Sequence, residues 1–348
     1  MGTVTHLTER LRTVPTRIGA EDEVLGVAQH LASAEVSWED VVQSGVFAIS
    51  IPVDFGGLDV SNAVMAEAVS IIAAASPELG ATLASHFSTL EALRHAGSEE
   101  QRRAIFSRVA RGESFSGLLC ADEPQSEWAL RLSAEGIGYR LDGEIVSNHA
   151  PEADWLTILL GDERGQPKFV LVSRSAPDGG FDVSGTDIRR LSFQRFHVAT
   201  DAVMNASADA RRMSATVADL LKGALALGRL RQNFLALLEQ GRRPGTVAQQ
   251  DSLRAVKSEI GRVYVHMETL SALVQRCGTE IDIAQVTPGV HTLNRAGQVA
   301  RSLAIAATQG LKHDGGSRHD EDALVKLGSS LIEHPPYPVQ VKGSDGSP

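Results

Sequence analysis

Three short strings hold residues able to move a proton or stabilise a charge. His86 stands in PELGATLASHFSTLEALRHAG, an otherwise nearly apolar run. An unperturbed imidazole titrates near neutrality, so His86 can work as a base or a hydrogen-bond donor. A lone histidine on such a face also serves as a packed core residue, and both readings stand. Ser147 and Asn148 follow the β-like run YRLDGEIV. They suit hydrogen bonding at a hairpin end, or a hydroxyl donated to developing negative charge, worth ~3 kcal/mol. Glu333 and His334 precede Pro335-Pro336, where a helix must stop. There His334 either compensates the helix dipole or does acid–base work.

Arg242 and Arg243, in EQGRRPG, read as a solvated loop or as a charge-assisted phosphate site. Arg195 and His197 read as structural or pocket-lining, and Trp128 as packing or stacking. Other chemistries lack their residues. There is no GxGxxG or GxxxxGK(S/T) loop, no HExxH, no CxxC and no GxSxG elbow. The eleven histidines are scattered, which does not support a metal site. Cys120 and Cys277 form no disulfide scaffold, so a reducing cytoplasm is expected. A net charge of −10 without a basic stripe disfavours nucleic acid, and no apolar run approaches a membrane span. A signal peptide is not expected.

The elements that must position these residues change character twice. Residues 1–111 have helical apolar spacing, as in residues 22–44. That pattern is interrupted by GVFAISIPVDFGGLDVS, which Pro52 and Gly56-Gly57 bar from being helix throughout. Ser61-Asn62 and Ser98 offer helix caps. Residues 112–207 hold short β-rich runs, FSGLLCAD, YRLDGEIVSN, WLTILLG, KFVLVSR and DAVMNA. Asp142-Gly143 is the strongest hairpin signal among them. From 208 to 348 the helical period returns in four runs, the first ending at Gly241 and the second near Gly278, followed by a polar tail. Short connections predict an antiparallel bundle.

Several of these strings resemble the acyl-CoA dehydrogenase superfamily. GVFAISIPVDFGGLDVS is similar to its Gly-hydrophobic-Pro-acidic-aromatic-Gly-Gly segment, and HFSTLEALRHAGSEEQRRAIFSRVARGESFSG to the segment that follows. GYRLDGEIVSN resembles its middle hairpin, and DIRRLSFQRFHVATDAVM its later β-segment. The order and spacing hold over nearly the whole chain. The resemblance implies an α+β fold with an N-terminal helical domain (1–111), a middle β-domain (112–207) and a C-terminal four-helix bundle (208–348). Within the superfamily, Ser85-His86-Phe87, Val146-Ser147-Asn148-His149 and Glu333-His334-Pro335 are closest to strings of the flavin-dependent monooxygenase branch, the dibenzothiophene monooxygenase and sulfur-acquisition type.

That resemblance implies a two-component enzyme taking reduced FMN or FAD from a separate flavin reductase. It would oxygenate a small organic substrate through a flavin C4a-hydroperoxide in a dry pocket. His86, Ser147 and His334 or Glu333 would surround the reactive edge, converging on one cavity from distant stretches. Ala121, Glu123, Ser147 and Asn148 would contact the flavin, with Arg242 and Arg243 reaching a phosphate from a neighbouring subunit of a homotetramer or dimer. The flavin loop departs from the family's pattern: ADEPQSEWALR keeps Glu123-Pro124 but loses Gly-Ser-Asp, and ATQG stands for Gly-Gly-x-Gly. Two alternatives follow: an acyl thioester dehydrogenase with Glu333 as base, and a flavin-free member reusing the pocket for acid–base chemistry or as a scaffold.

Overall fold

The computed structural model describes residues 18–33, 36–119, 130–147, 153–175, 181–184, 189–242, 250–309 and 318–334. The first helical stretch is not continuous. α1 (Val24–Ser33) and α2 (Trp38–Ser44) are separate, because Ser37 forms a capping box with Asp40 and restarts the chain. Residues 46–55 fold as two 3-10 turns. α3 (Asn62–Ala75) follows, but Ser61 does not cap it. Instead Asp282, from a distant helix, accepts the Asn62 backbone N–H at 3.0 Å. α4 (Pro77–Ala96) opens on a Ser76 cap with Pro77 in its first turn. Gly97 ends it, and Ser98 builds a second capping box for α5 (Glu99–Val109).

Helix gives way to strand between Val109 and Phe115. β1 (Phe115–Leu119), β4 (Trp155–Gly161), β5 (Pro167–Ser173) and β8 (Val203–Asn205) form one sheet in the order β1-β4-β5-β8, with β1 and β4 parallel. β2 (Arg131–Glu135), β3 (Gly138–Ser147), β7 (Arg189–Ala199) and β6 (Phe181–Ser184) form a second, antiparallel sheet in the order β2-β3-β7-β6.

The expected Asp142-Gly143 hairpin is corrected here. β3 runs straight through that pair, and the turn falls at Gly136-Ile137 between β2 and β3. The Asp142-Gly143 stretch instead lies opposite a bulge in β7, where Gln194 and Arg195 together stand against Asp142. Its Asp142 carboxylate accepts the backbone N–H of Arg195 at 2.7 Å, where the β7 backbone turns to a φ of 50°.

α6 (Ala208–Arg242), α7 (Gln250–Val286), α8 (Val290–Gln309) and α9 (Arg318–Glu333) complete the described chain. Gly278 does not end its helix, contrary to expectation. It lies inside α7 at a close approach, where a Cβ would sit 2.4 Å from the Ala63 nitrogen. Among the described residues the apolar side chains form two cores. One joins α1–α4 to the later helices through residues such as Phe47, Leu83, Leu220, Leu270 and Leu303. The other joins the β-sheets to α5 and the end of α4 through Leu90, Leu93, Phe106, Trp155 and Leu191. α4 therefore belongs to both, with Leu83 and Phe87 in the first core and Leu90 and Leu93 in the second.

Candidate active site

The middle of α4 meets the first residues of β1. His86 is fully buried there, ringed by Phe47, Phe87 and Phe115. Its Nε2 lies 2.9 Å from the Phe47 carbonyl, and its Nδ1 accepts the Phe115 N–H at 2.9 Å. Only the neutral ring with the proton on Nε2 satisfies both partners. Burial pulls its pKa from 6.5 down to about 4, against the opposing pull of the Phe47 carbonyl. The base role implied by the resemblance is thus corrected. At neutral pH both ring nitrogens are committed to backbone, and the packed-core reading holds.

Ser85 continues the contact. Its hydroxyl lies 3.0 Å from that of Ser116 and accepts the Gly117 N–H at 3.3 Å. Gly117 is exposed on one side, while a Cβ there would come within 2.8 Å of Thr89 Oγ1. On the paired strand, Thr157 is buried with its hydroxyl unpartnered among the described residues. The Gly117 N–H is held by Ser85, so the polar groups offered at the end of β1 are the Ser85, Ser116 and Thr157 hydroxyls, and on the ground of those hydroxyls it fits the polar edge of a flavin ring. Ser147 is the last residue of β3; its side chain lies outside the described set, as do Ala121, Glu123, Trp128, Asn148 and Arg243.

Further along α4, a buried carboxylate escaped the sequence reading. Glu91 accepts hydrogen bonds from His95 at 2.8 Å and from the Gln285 amide at 2.9 Å. The Gln285 carbonyl in turn accepts from Asn62, whose amide also reaches Asp282. Burial alone would raise the Glu91 carboxyl, but the His95 hydrogen bond, the nearby His95 and Arg94 charges and the Gln285 amide bring it below its ordinary value. The signal was available: Glu91 and His95 stand four residues apart on one face of a mostly apolar helix. Beside them is a cavity of about 10 Å³, touched by Ser50, Asn62, Phe87, Glu91 and Gln285. A larger hollow of about 410 Å³ lies between α1 and α2, lined by Glu23, Val27, His30, Leu31 and Asp40. Neither is lined by His86, Glu333 or His334.

Glu333 and His334 are exposed at the end of α9, and Arg242, the last residue of α6 rather than a loop residue, reaches the Ile332 carbonyl at 3.4 Å. His86 sits at the other end of α6, where Ser214 donates to the Ser88 carbonyl at 2.9 Å. At about 1.5 Å of rise per residue, positions 214 and 242 of α6 are about 40 Å apart. The expected convergence of the stretches around 86 and 334 therefore does not occur within one chain. Arg195 is exposed and paired with Glu135, and His197 is exposed on β7.

Residues 16–113 match the family described as acyl-CoA dehydrogenase, N-terminal domain. The chain is 28% identical over 127 residues to the probable acyl-CoA dehydrogenase FadE10 of Mycobacterium tuberculosis (strain ATCC 25618 / H37Rv), covering 34% of this chain and 20% of that protein. It is 27% identical over 114 residues to dibenzothiophene monooxygenase of Rhodococcus erythropolis, covering 32% and 27%. The matched stretch thus spans about a quarter or less of these curated relatives. The fold is similar to that of TdsC, a dibenzothiophene monooxygenase from Paenibacillus sp. A11-2 solved with FMN and indole. That match has a TM-score of 0.71 at 17% identity and covers 91% of this chain and 94% of the other.

Proposed function

We propose that the chain, whose residues 16–113 match the acyl-CoA dehydrogenase N-terminal domain family, is a reduced-flavin-dependent monooxygenase acting on a small organic molecule. The observation that carries this reading is the likeness in fold to TdsC along nearly the full length of both chains. The bound flavin would supply the electrons and the activation of O2, and a separate reductase would deliver it reduced. The protein's own work is to place and protect it. The end of β1, with Gly117, Ser85 and Ser116, would meet one edge. Ala121, Glu123, Ser147 and Asn148 would hold the ring from the adjoining segments. Because Arg242, Glu333 and His334 stand about 40 Å along α6 from His86, they would reach a flavin only from a second copy of the chain. In that arrangement Arg242 and Arg243 meet the phosphate, and His334 or Glu333 faces the substrate. A dimer or tetramer is then a requirement of the site.

The match to FadE10 supports a second reading, oxidation of an acyl thioester. That reaction needs a carboxylate at the substrate's α-carbon, and Glu333 would have to come from the second copy.

Anaerobic titration with reduced FMN and reduced FAD, followed by mixing with O2 and a sulfur or nitrogen heterocycle such as dibenzothiophene or indole, tests the proposal. Saturable binding and an oxygenated product by mass spectrometry are expected. Anaerobic bleaching of a bound oxidised flavin by an acyl-CoA would replace it with the dehydrogenase reading. No flavin binding at high micromolar concentration would leave the flavin-free alternative.

A further inference from the structure

Among the described residues β1 is the edge strand of its sheet, with no β partner on one side of its backbone. Its Ser114 carbonyl accepts from Trp155 of β4, which sets residues 114 and 116 towards the sheet. Phe115 and Gly117 then present their N–H groups to the open side. Both N–H groups are taken by adjacent side chains of α4: Phe115 by His86 Nδ1 at 2.9 Å and Gly117 by Ser85 Oγ at 3.3 Å. Two consecutive residues of a helix thus stand where the next strand would be. The other ring nitrogen of His86 is tied to the Phe47 carbonyl, so the same residue anchors the 3-10 turn at Val46–Ala48.

We propose that Ser85 and His86 are positioning residues: they cap the free edge of β1 and fix the register in which that strand delivers its end, Gly117–Leu119, to the active site. The role in the site rests on the flavin reading above; the edge cap itself does not. A buried N–H left without an acceptor is costly, which is why the cap must be made by groups that cannot swing away. His86 meets that condition because its ring is held at both nitrogens. Ser85 and Ser116 extend the contact by one more hydroxyl pair.

The test uses the full chain with two complementary variants. In His86→Asn the amide oxygen stands near the position of Nδ1 and can still accept from Phe115. In His86→Gln the amide nitrogen reaches towards the Phe47 carbonyl, and the Phe115 N–H loses its acceptor. Hydrogen exchange at Phe115 is expected to stay within a few-fold of wild type in the Asn variant and to rise by about tenfold or more in the Gln variant. Ser85→Ala should do the same to Gly117 alone. Nitrogen-15 spectra of the wild-type ring should show one protonated and one bare nitrogen from pH 5.5 to 8. Reduced FMN should bind about tenfold more weakly to His86→Gln than to His86→Asn.

Equal Phe115 exchange in both variants, or a ring that takes up a second proton in that pH range, overturns the edge cap. Altered exchange with unchanged FMN affinity overturns the positioning role. Altered exchange in a protein that binds no flavin leaves the edge cap standing and removes the proposed function instead.

Discussion

Histidines of opposite character, one on α4 and one just after α9, lie beside the two ends of α6. Near its start, His86 is sealed among three aromatic rings with both nitrogens bound to backbone. Near its finish, His334 is exposed just past the end of α9, where Arg242 reaches the Ile332 carbonyl. Sequence strings alone make the two look like partners in one site. Burial makes the first a structural tie, and exposure leaves the second free to meet another molecule. The lesson is that a histidine's accessible protons, rather than its motif, decide whether it can do chemistry.

The largest effect of a single substitution is expected at the buried end. His86→Leu keeps the apolar volume but strands the Phe115 N–H and the Phe47 carbonyl. At ~1–3 kcal/mol for each buried unpaired group, the loss should be about 4 kcal/mol. Urea unfolding followed by circular dichroism measures it. A loss under about 1 kcal/mol would show that the two bonds are not held as described.

The same ring gives the wild type an acid sensitivity of known sign. An unfolded His86 takes up its proton near pH 6.5, and the folded ring only near 4. Between those values the unfolded state binds more protons, so acid favours unfolding. The contribution is fully present above about pH 6.5 and is lost as pH falls to about 4, by about 3 kcal/mol in all. Stability curves from pH 7 to 4 should be flatter in His86→Asn, by up to one proton; identical slopes would contradict the buried neutral ring.

Much of the architecture was legible because it is written in local spacing. The break at Pro52 and Gly56 and the Ser98 cap are short-range signals, and each stands where the sequence places it. What was not legible depends on partners far away in the chain. Asp142-Gly143 has the composition of a turn, yet Asp142 is claimed by Arg195 of β7, and a bulge results. Gly278 has the look of a helix stop, yet it is needed where α7 crosses α3. The expected convergence within one chain was missed for a related reason. The length of α6 is written in its spacing, but nothing local reveals that α4 packs near its start and α9 near its end, which holds the stretches around 86 and 334 apart.

Gly278→Ala sharpens that point with a smaller effect. The added methyl would lie 2.4 Å from the Ala63 nitrogen and 2.6 Å from its Cα, both backbone atoms that cannot rotate aside. α7 must shift, at a cost of about 2 kcal/mol. A true helix stop would behave otherwise, since alanine favours helix by about 1 kcal/mol over glycine. The sign of the change in thermal midpoint therefore separates the two readings.

At the open end the expected stability effect is the smallest. His334→Ala should change unfolding free energy by less than about 0.5 kcal/mol, as for exposed positions generally. Its consequence belongs to assembly. If each site takes Ser147 from one chain and His334 from another, the variants Ser147→Ala and His334→Ala are each defective when pure. Co-expressed, they form mixed pairs in which one of the two sites has both native residues. With random pairing roughly a quarter of the sites are then intact, because the two-fold operator places both substitutions in the other site of the mixed pair. Product formation should recover to that fraction of wild type. A mixture as inactive as its parents would mean that the two residues serve one chain, and the distance along α6 would have to be closed by a movement of α9.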